Sequence, residues 1–121
     1  MDLRTLTNKF NEHINNRDAE GLSSVMTDDH SFIDKAGNAI RGKATCLDAW
    51  RGFFAAFPDY RNIFERLLLQ EESVVVVGRS SCSDARLDGP ALWVARMRDG
   101  KVAEWRVYDD TPTLRRTLGV G

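Results

Sequence analysis

The chain is poor in residues that staple, break or charge a protein. Two cysteines, Cys46 and Cys82, stand far apart with no Cys-x-x-Cys or Cys/His ligand spacing around either, which points to buried reduced thiols rather than a disulfide or a zinc site. Three prolines against nine glycines, with 42% apolar and 29% charged residues, exclude a disordered or fibrous chain. No window approaches the roughly 20 apolar residues that cross a bilayer, and Met1-Asp2-Leu3-Arg4 carries no apolar stretch behind a basic start. A cytoplasmic protein with no membrane partner is expected. Seventeen basic against eighteen acidic side chains leave a formal net charge of -1, and no basic cluster exceeds Arg115-Arg116, so nucleic acid is not an expected partner either. What remains is one globular domain over residues 1–121, long enough to bury about two thirds of its unfolded surface.

Catalytic signatures are equally sparse. The chain has no Gly-x-Ser-x-Gly elbow, no glycine-rich loop before a helix, and no His-Glu-x-x-His or Asp-x-Asp-x-Asp-Gly run. Nucleophilic hydrolysis, nucleotide binding and metal catalysis therefore lack sequence support, and neither cofactor nor metal is expected.

Periodicity organises what is present. Leu3, Leu6, Phe10 and Ile14 recur at steps of three and four, predicting an amphipathic helix over Asp2 to Ile14. Asn15 to Asp18 breaks it, Asp18 can cap a new start, and Leu22, Val25 and Met26 continue at helical spacing as a short second helix. His30 to Asp34 and Ala39 to Arg41, joined by the turn-type Lys35-Ala36-Gly37-Asn38, suggest a small hairpin. A third helix from Lys43 to Phe57 carries Leu47, Trp50, Phe53, Phe54 and Phe57 on one face, and Pro58 stops it. The rest reads as four strands, Asn62 to Gln70, Ser73 to Ser83, Ala91 to Arg98 and Lys101 to Asp109, with Asp99-Gly100 as a hairpin turn and a last turn of helix in Thr111 to Leu118. Helices first and an antiparallel meander after mean α+β.

The succession Asn16-Arg17-Asp18, Asp28-Asp29-His30-Ser31-Phe32-Ile33-Asp34 with Gly37, Phe57-Pro58-Asp59-Tyr60-Arg61, and Asp99-Gly100-Lys101-Val102 leading to Trp105-Arg106-Val107-Tyr108-Asp109-Asp110 resembles the SnoaL-like branch of the NTF2-like superfamily over nearly the whole chain. The resemblance implies a cone: a strongly curved antiparallel sheet wraps around the helices and encloses a pocket, usually in a homodimer. Physical reasoning agrees, since a curved sheet cannot be filled by its own side chains. The hollow left over is the default place for a small hydrophobic ligand.

Three candidate catalytic groups follow. Asp110 matches the acidic residue that SnoaL-type polyketide cyclases and limonene-epoxide-hydrolase-like enzymes use as acid or base, and a carboxylate among rings would hold its proton more tightly; the alternative is a surface cap for the tail helix. Strand alternation sets Glu104, Arg106, Tyr108 and Asp110 on one face and Trp105, Val107 and Asp109 on the other, which keeps Asp109 open unless a bulge near the strand end turns Asp110 inward. Asp34 resembles the proton-shuttling aspartate of ketosteroid isomerases, or else is a turn residue. The isomerases' phenolic oxyanion donor, however, falls at Phe10, which has no hydroxyl, and their acidic donor near Trp93 if one gap is allowed; such donors are worth about 3 kcal/mol or more each. His30, unlike His13 on the polar side of its helix, can reach the pocket or serve as a hydrogen-bonded structural residue.

Trp50, Phe54, Tyr60, Trp93, Trp105 and Tyr108 are candidate pocket walls or simply core, and Arg79 either pairs with a carboxylate across the sheet or lies on its outer face. The expected function is binding of a small hydrophobic or polycyclic molecule, with acid-base isomerase, cyclase or hydratase chemistry. A non-catalytic binding or dimerisation module of the same fold is the alternative.

Overall fold

The first helix, α1 (Leu3–Asn15), starts where Asp2 accepts a hydrogen bond from the Thr5 backbone N–H at 2.7 Å, and it buries Leu6, Phe10 and Ile14. Arg17 takes a left-handed conformation (φ 54°) that reverses the chain, and Asp18 caps α2 (Ala19–Ser24) through the Gly21 N–H. The structure, a computed structural model, describes all 121 residues. At Gly21 the two helices meet so closely that a Cβ would sit 2.2 Å from the His13 ring.

Met26, expected to continue the second helix, instead opens strand β1 (Met26–Ile33), because α2 ends at Ser24 and the Val25 carbonyl already accepts the Val102 N–H across the sheet. A spacing of three and four over so few residues fits the end of a helix and the start of a buried strand equally. A short β2 (Ala39–Arg41) completes the hairpin, and α3 (Lys43–Ala56) follows Gly42. Four strands, β3 (Arg61–Gln70), β4 (Ser73–Ser81), β5 (Gly89–Arg98) and β6 (Lys101–Asp109), then run as an antiparallel meander, before α4 (Pro112–Leu118) closes the chain.

The sheet is curled but open, in the order β2-β1-β6-β5-β4-β3. One pairing is not meander-like: β6 lies parallel to β1, with Phe32 beside Trp105 and Ile33 beside Arg106. A parallel pair needs a long crossover, and here everything from β2 to β5 supplies it. On the concave face Val74, Val76, Trp93, Ala95 and Trp105 pack against Leu6, Phe10 and Ile14 of α1 and Cys46, Leu47 and Trp50 of α3. On the convex face Val75, Val77 and Leu92 form a second layer under Leu114 and Leu118 of α4 and Val120. No helix is long and apolar enough to cross a membrane.

Curvature has a local cause. The β3–β4 register shifts between Phe64 and Arg66, a bulge that bends the strand. Opposite it stands Gly78, where a Cβ would lie 2.2 Å from the Ile63 carbonyl oxygen. Since that neighbour is backbone, it cannot rotate away. Gly78→Ala is expected to cost about 1–3 kcal/mol, the usual penalty of overpacking; urea denaturation measures it, and an unchanged midpoint would show that the bend does not depend on this contact.

Candidate functional site

Between the concave face and α3 lies a cavity of about 930 Å³ whose lining is three-quarters hydrophobic, 12 of 16 residues. Cys46, Ala49, Trp50 and Phe53 of α3 form one wall; Phe32, Trp93, Trp105 and Val107 of the sheet form the other. The rings brace one another: Trp50 meets Phe32 and Phe53 edge-on, and Phe53 meets Tyr60 at 4.8 Å. Such a volume and polarity suit a drug-sized apolar molecule. The rim is polar, with Asp34 and Lys35 from the β1–β2 turn on one side and Arg86 from the β4–β5 loop on the other.

The expected wall residues divide. Trp50, Tyr60, Trp93 and Trp105 line the cavity. Phe10 lies behind it, stacked on Trp105 at 4.4 Å, and Phe54 packs beside Trp50 outside the lining. Arg79 and Tyr108 are on the other side of the sheet. Arg79 is exposed and makes no ion pair, while Tyr108 carries the Arg106 guanidinium 4.7 Å above its ring.

The carboxylates stand differently from the expectation. Asp110 lies on the convex side and is held in two hydrogen bonds by Arg115, Nε at 2.6 Å and the second guanidinium nitrogen at 2.8 Å. These bonds lower its pKa, the opposite of the rise that burial among rings would cause. Asp109 does share a face with Trp105 and Val107, yet its side chain is largely exposed and pairs with Lys35 at 3.1 Å, tying the rim together. Asp34 lines the cavity mouth, but its Oδ1 accepts the N–H groups of Ala36 and Asn38, both at 2.9 Å, so it is at once turn residue and rim residue. Those bonds to Asn38 and Ala36 hold its carboxyl below the usual range.

His30 is fully buried under the Phe10 ring and is not among the lining residues. Its Nδ1 lies 2.7 Å from the Val102 carbonyl, which can only accept, so Nδ1 carries the proton and Nε2 is bare. Burial lowers its pKa and keeps it neutral. Nowhere do three His, Cys, Asp or Glu side chains converge as metal ligands do.

Sequence reasoning missed Phe32, Phe53 and Ser80 as lining residues. Ser80 was legible in principle: Val74, Val76 and Gly78 alternate inward, and the next inward position is Ser80. Its hydroxyl donates to Asn62 Oδ1 at 2.9 Å and meets the Tyr60 hydroxyl at 3.1 Å. Asn62 is in turn fixed by Asn15 of α1, which accepts its N–H and donates to its carbonyl.

The Asp110–Arg115 pair generates a pH prediction. A carboxyl with a depressed folded-state pKa adds stability above its unfolded value of 3.8, and that stability is lost as pH falls through the folded value. Asp110→Asn is therefore expected to melt a few degrees lower at neutral pH, with the gap closing in acid. A gap that persists unchanged below the folded value would mean that the pair is not its source.

Comparison with known proteins agrees with the geometry. No curated protein sequence matches the chain. Among solved structures, a candidate polyketide cyclase from Sinorhizobium meliloti is similar with a TM-score of 0.77 at 16% identity, over 85% of this chain and 93% of that one. A candidate ketosteroid isomerase from Kribbella flavida is similar with a TM-score of 0.74 at 21% identity, over 96% of this chain and 86% of that one. An NTF2-like protein of unknown function from Cytophaga hutchinsonii follows the fold over 98% of this chain and 96% of its own, with a TM-score of 0.76 at 12% identity. Identities this low speak for the fold alone. The family model for the SnoaL-like domain matches residues 7–105, spanning both helical walls and the sheet as far as Trp105, and the chain belongs to that family.

Proposed function

We propose that this protein binds a small, largely apolar, ring-containing molecule in the cone cavity. One observation carries the reading: all three tryptophans of the chain, Trp50, Trp93 and Trp105, stand around a single hydrophobic hollow of about 930 Å³. Aromatic walls offer large contact area at low entropic cost, and a polycyclic ligand matches them ring to face. The two free thiols suit a reducing compartment such as the cytoplasm. Arg41, Arg96 and Arg98 lie beside Asp29 and Glu104 on the convex face, so a two-fold-related copy meets charges of both signs there, and the proposal extends to a homodimer.

The tryptophans also supply the test. Titration with a steroid, a terpenoid and an anthraquinone is expected to shift the intrinsic emission for at least one of them. Val107→Phe, which fills part of the hollow, should weaken that ligand at least about tenfold, equivalent to about 1.4 kcal/mol. Emission that stays constant up to the solubility limit of all three classes would sink the reading.

A second reading, proton transfer, rests on Asp34, the one carboxylate in the cavity lining. An ionised carboxylate at the rim can take a proton from a bound carbon acid. Its lowered pKa makes it a weak base, however, and general-base catalysis works best when the pKa lies near the operating pH. Binding is therefore the favoured reading. Were Asp34 the base, Asp34→Asn would slow isomerisation of a bound unsaturated ketone about a hundredfold or more while leaving the emission titration within about twofold, a spread of roughly half a kcal/mol. An isomerisation rate indistinguishable from that of the variant discards catalysis by Asp34.

A further inference from the structure

The polar corner of the cavity has a direction. A serine hydroxyl owns one proton, and Ser80 spends it on Asn62 Oδ1 at 2.9 Å. In the 3.1 Å contact between Ser80 and Tyr60 the phenol must therefore be the donor. The resulting chain runs one way, from the Tyr60 hydroxyl to Ser80 Oγ and on to the Asn62 carbonyl oxygen. Asn62 presents its oxygen to Ser80, and its Nδ2 meets no partner. It is fully enclosed, pairs with Ser80 across the β3–β4 ladder, and has its backbone held by Asn15. Burial raises the phenol's pKa and keeps its proton on.

With its proton committed, Tyr60 can offer the cavity only oxygen lone pairs. Ser80 is in the same position, its proton spent and one lone pair left. This corner is an acceptor, although a tyrosine and a serine at a pocket wall read at first as donors.

We propose that Tyr60 and Ser80 select ligands carrying a hydroxyl or similar hydrogen-bond donor, and disfavour matched ligands that offer only a carbonyl there. The inference rests on the reading of the cavity as a ligand site and specifies its chemical class: alcohols and phenols on a ring skeleton. A ketone at this corner either leaves its oxygen facing lone pairs or pulls the Tyr60 proton away from Ser80, and a neutral hydrogen bond exchanged in that way is worth a severalfold change in affinity.

The test uses three probes of one skeleton: tetralin, its benzylic alcohol and the corresponding ketone, titrated against wild type, Ser80→Ala and Tyr60→Phe, with melting curves to confirm folding. In wild type the alcohol is expected to bind about five- to tenfold more tightly than the ketone. In Ser80→Ala the Tyr60 hydroxyl is released to donate, so the alcohol-to-ketone ratio should fall to parity or invert. In Tyr60→Phe the phenol's lone pairs are lost, but Ser80 keeps its proton on Asn62 and regains a lone pair, so the preference for the alcohol should shrink without inverting. Binding of all three probes by wild type with no preference, or with the ketone favoured, overturns this inference alone. So does a preference for the alcohol that survives Ser80→Ala unchanged. Binding of none of the three overturns the reading of the cavity as a ligand site, and this inference with it.

Discussion

The architecture depends on the bend that β3 and β4 share. Gly78 lets the Ile63 carbonyl come within a distance no side chain tolerates, and the bulge between Phe64 and Arg66 turns the strand pair there. Beyond that point the sheet curls around α1 and α3 instead of lying flat beneath them. A curled sheet has more concave area than its own inward side chains can cover. Phe10, Ile14 and Trp50 fill the part nearest the helices, and the remainder stays open between Trp50 and Trp93. The cavity is thus a geometric remainder of the bend, and its apolar lining comes from the same residues that would otherwise have completed a core.

Polar groups are sorted by depth. At the rim, charge is neutralised in pairs open to water, Lys35 with Asp109 and Arg86 with Asp84. Exposed pairs of this kind add little stability, so their consequence is placement: they hold the turn and the loop that frame the opening. Further in, no charge remains. Asn15, Asn62, Ser80 and Tyr60 are linked in a chain that begins on α1 and ends on the cavity wall, with Asn62 Nδ2 left without a partner. This chain joins helix and sheet at the very edge where the bend begins, and so one small network serves both the fold and the polarity of the site.

Local pattern carried much of this. The stripe of Leu6, Phe10 and Ile14, the aromatic face of α3, and the Asp99-Gly100 hairpin all act within a few residues, so the sequence displays them directly. The parallel join of β1 to β6 does not act locally. It brings together Phe32 and Trp105, and nothing near either residue signals the other. The same distance hid Ser80 and Phe53 as wall residues, because which inward-facing positions border a hollow and which are packed solid is decided by elements far apart in the chain. Met26 failed for a different reason: a spacing of three and four over a handful of residues fits two structures, and pairing with β6 chose the strand.

The terminal acids show that plain strand alternation holds along the end of β6, because the one irregularity of the pair lies at the strand's other end. Alternation along β6 put Trp105 and Asp109 on one face and Asp110 on the other, and only a bulge near the strand end could have brought Asp110 inward. The β5–β6 register does slip, but between Arg96 and Met97, opposite Ala103 and before Trp105. From Glu104 opposite Arg96 to Asp109 opposite Ala91 the ladder is unbroken. The slip therefore sets Trp105 and Val107 toward the cavity and sends Asp110 to the convex side, where Arg115 of α4 meets it. An acid at this position ties the end of β6 to α4, which covers the convex side, and stands away from the hollow. The polar groups on the inner wall are then Tyr60 and Ser80, with Asp34, Lys35 and Arg86 at the mouth.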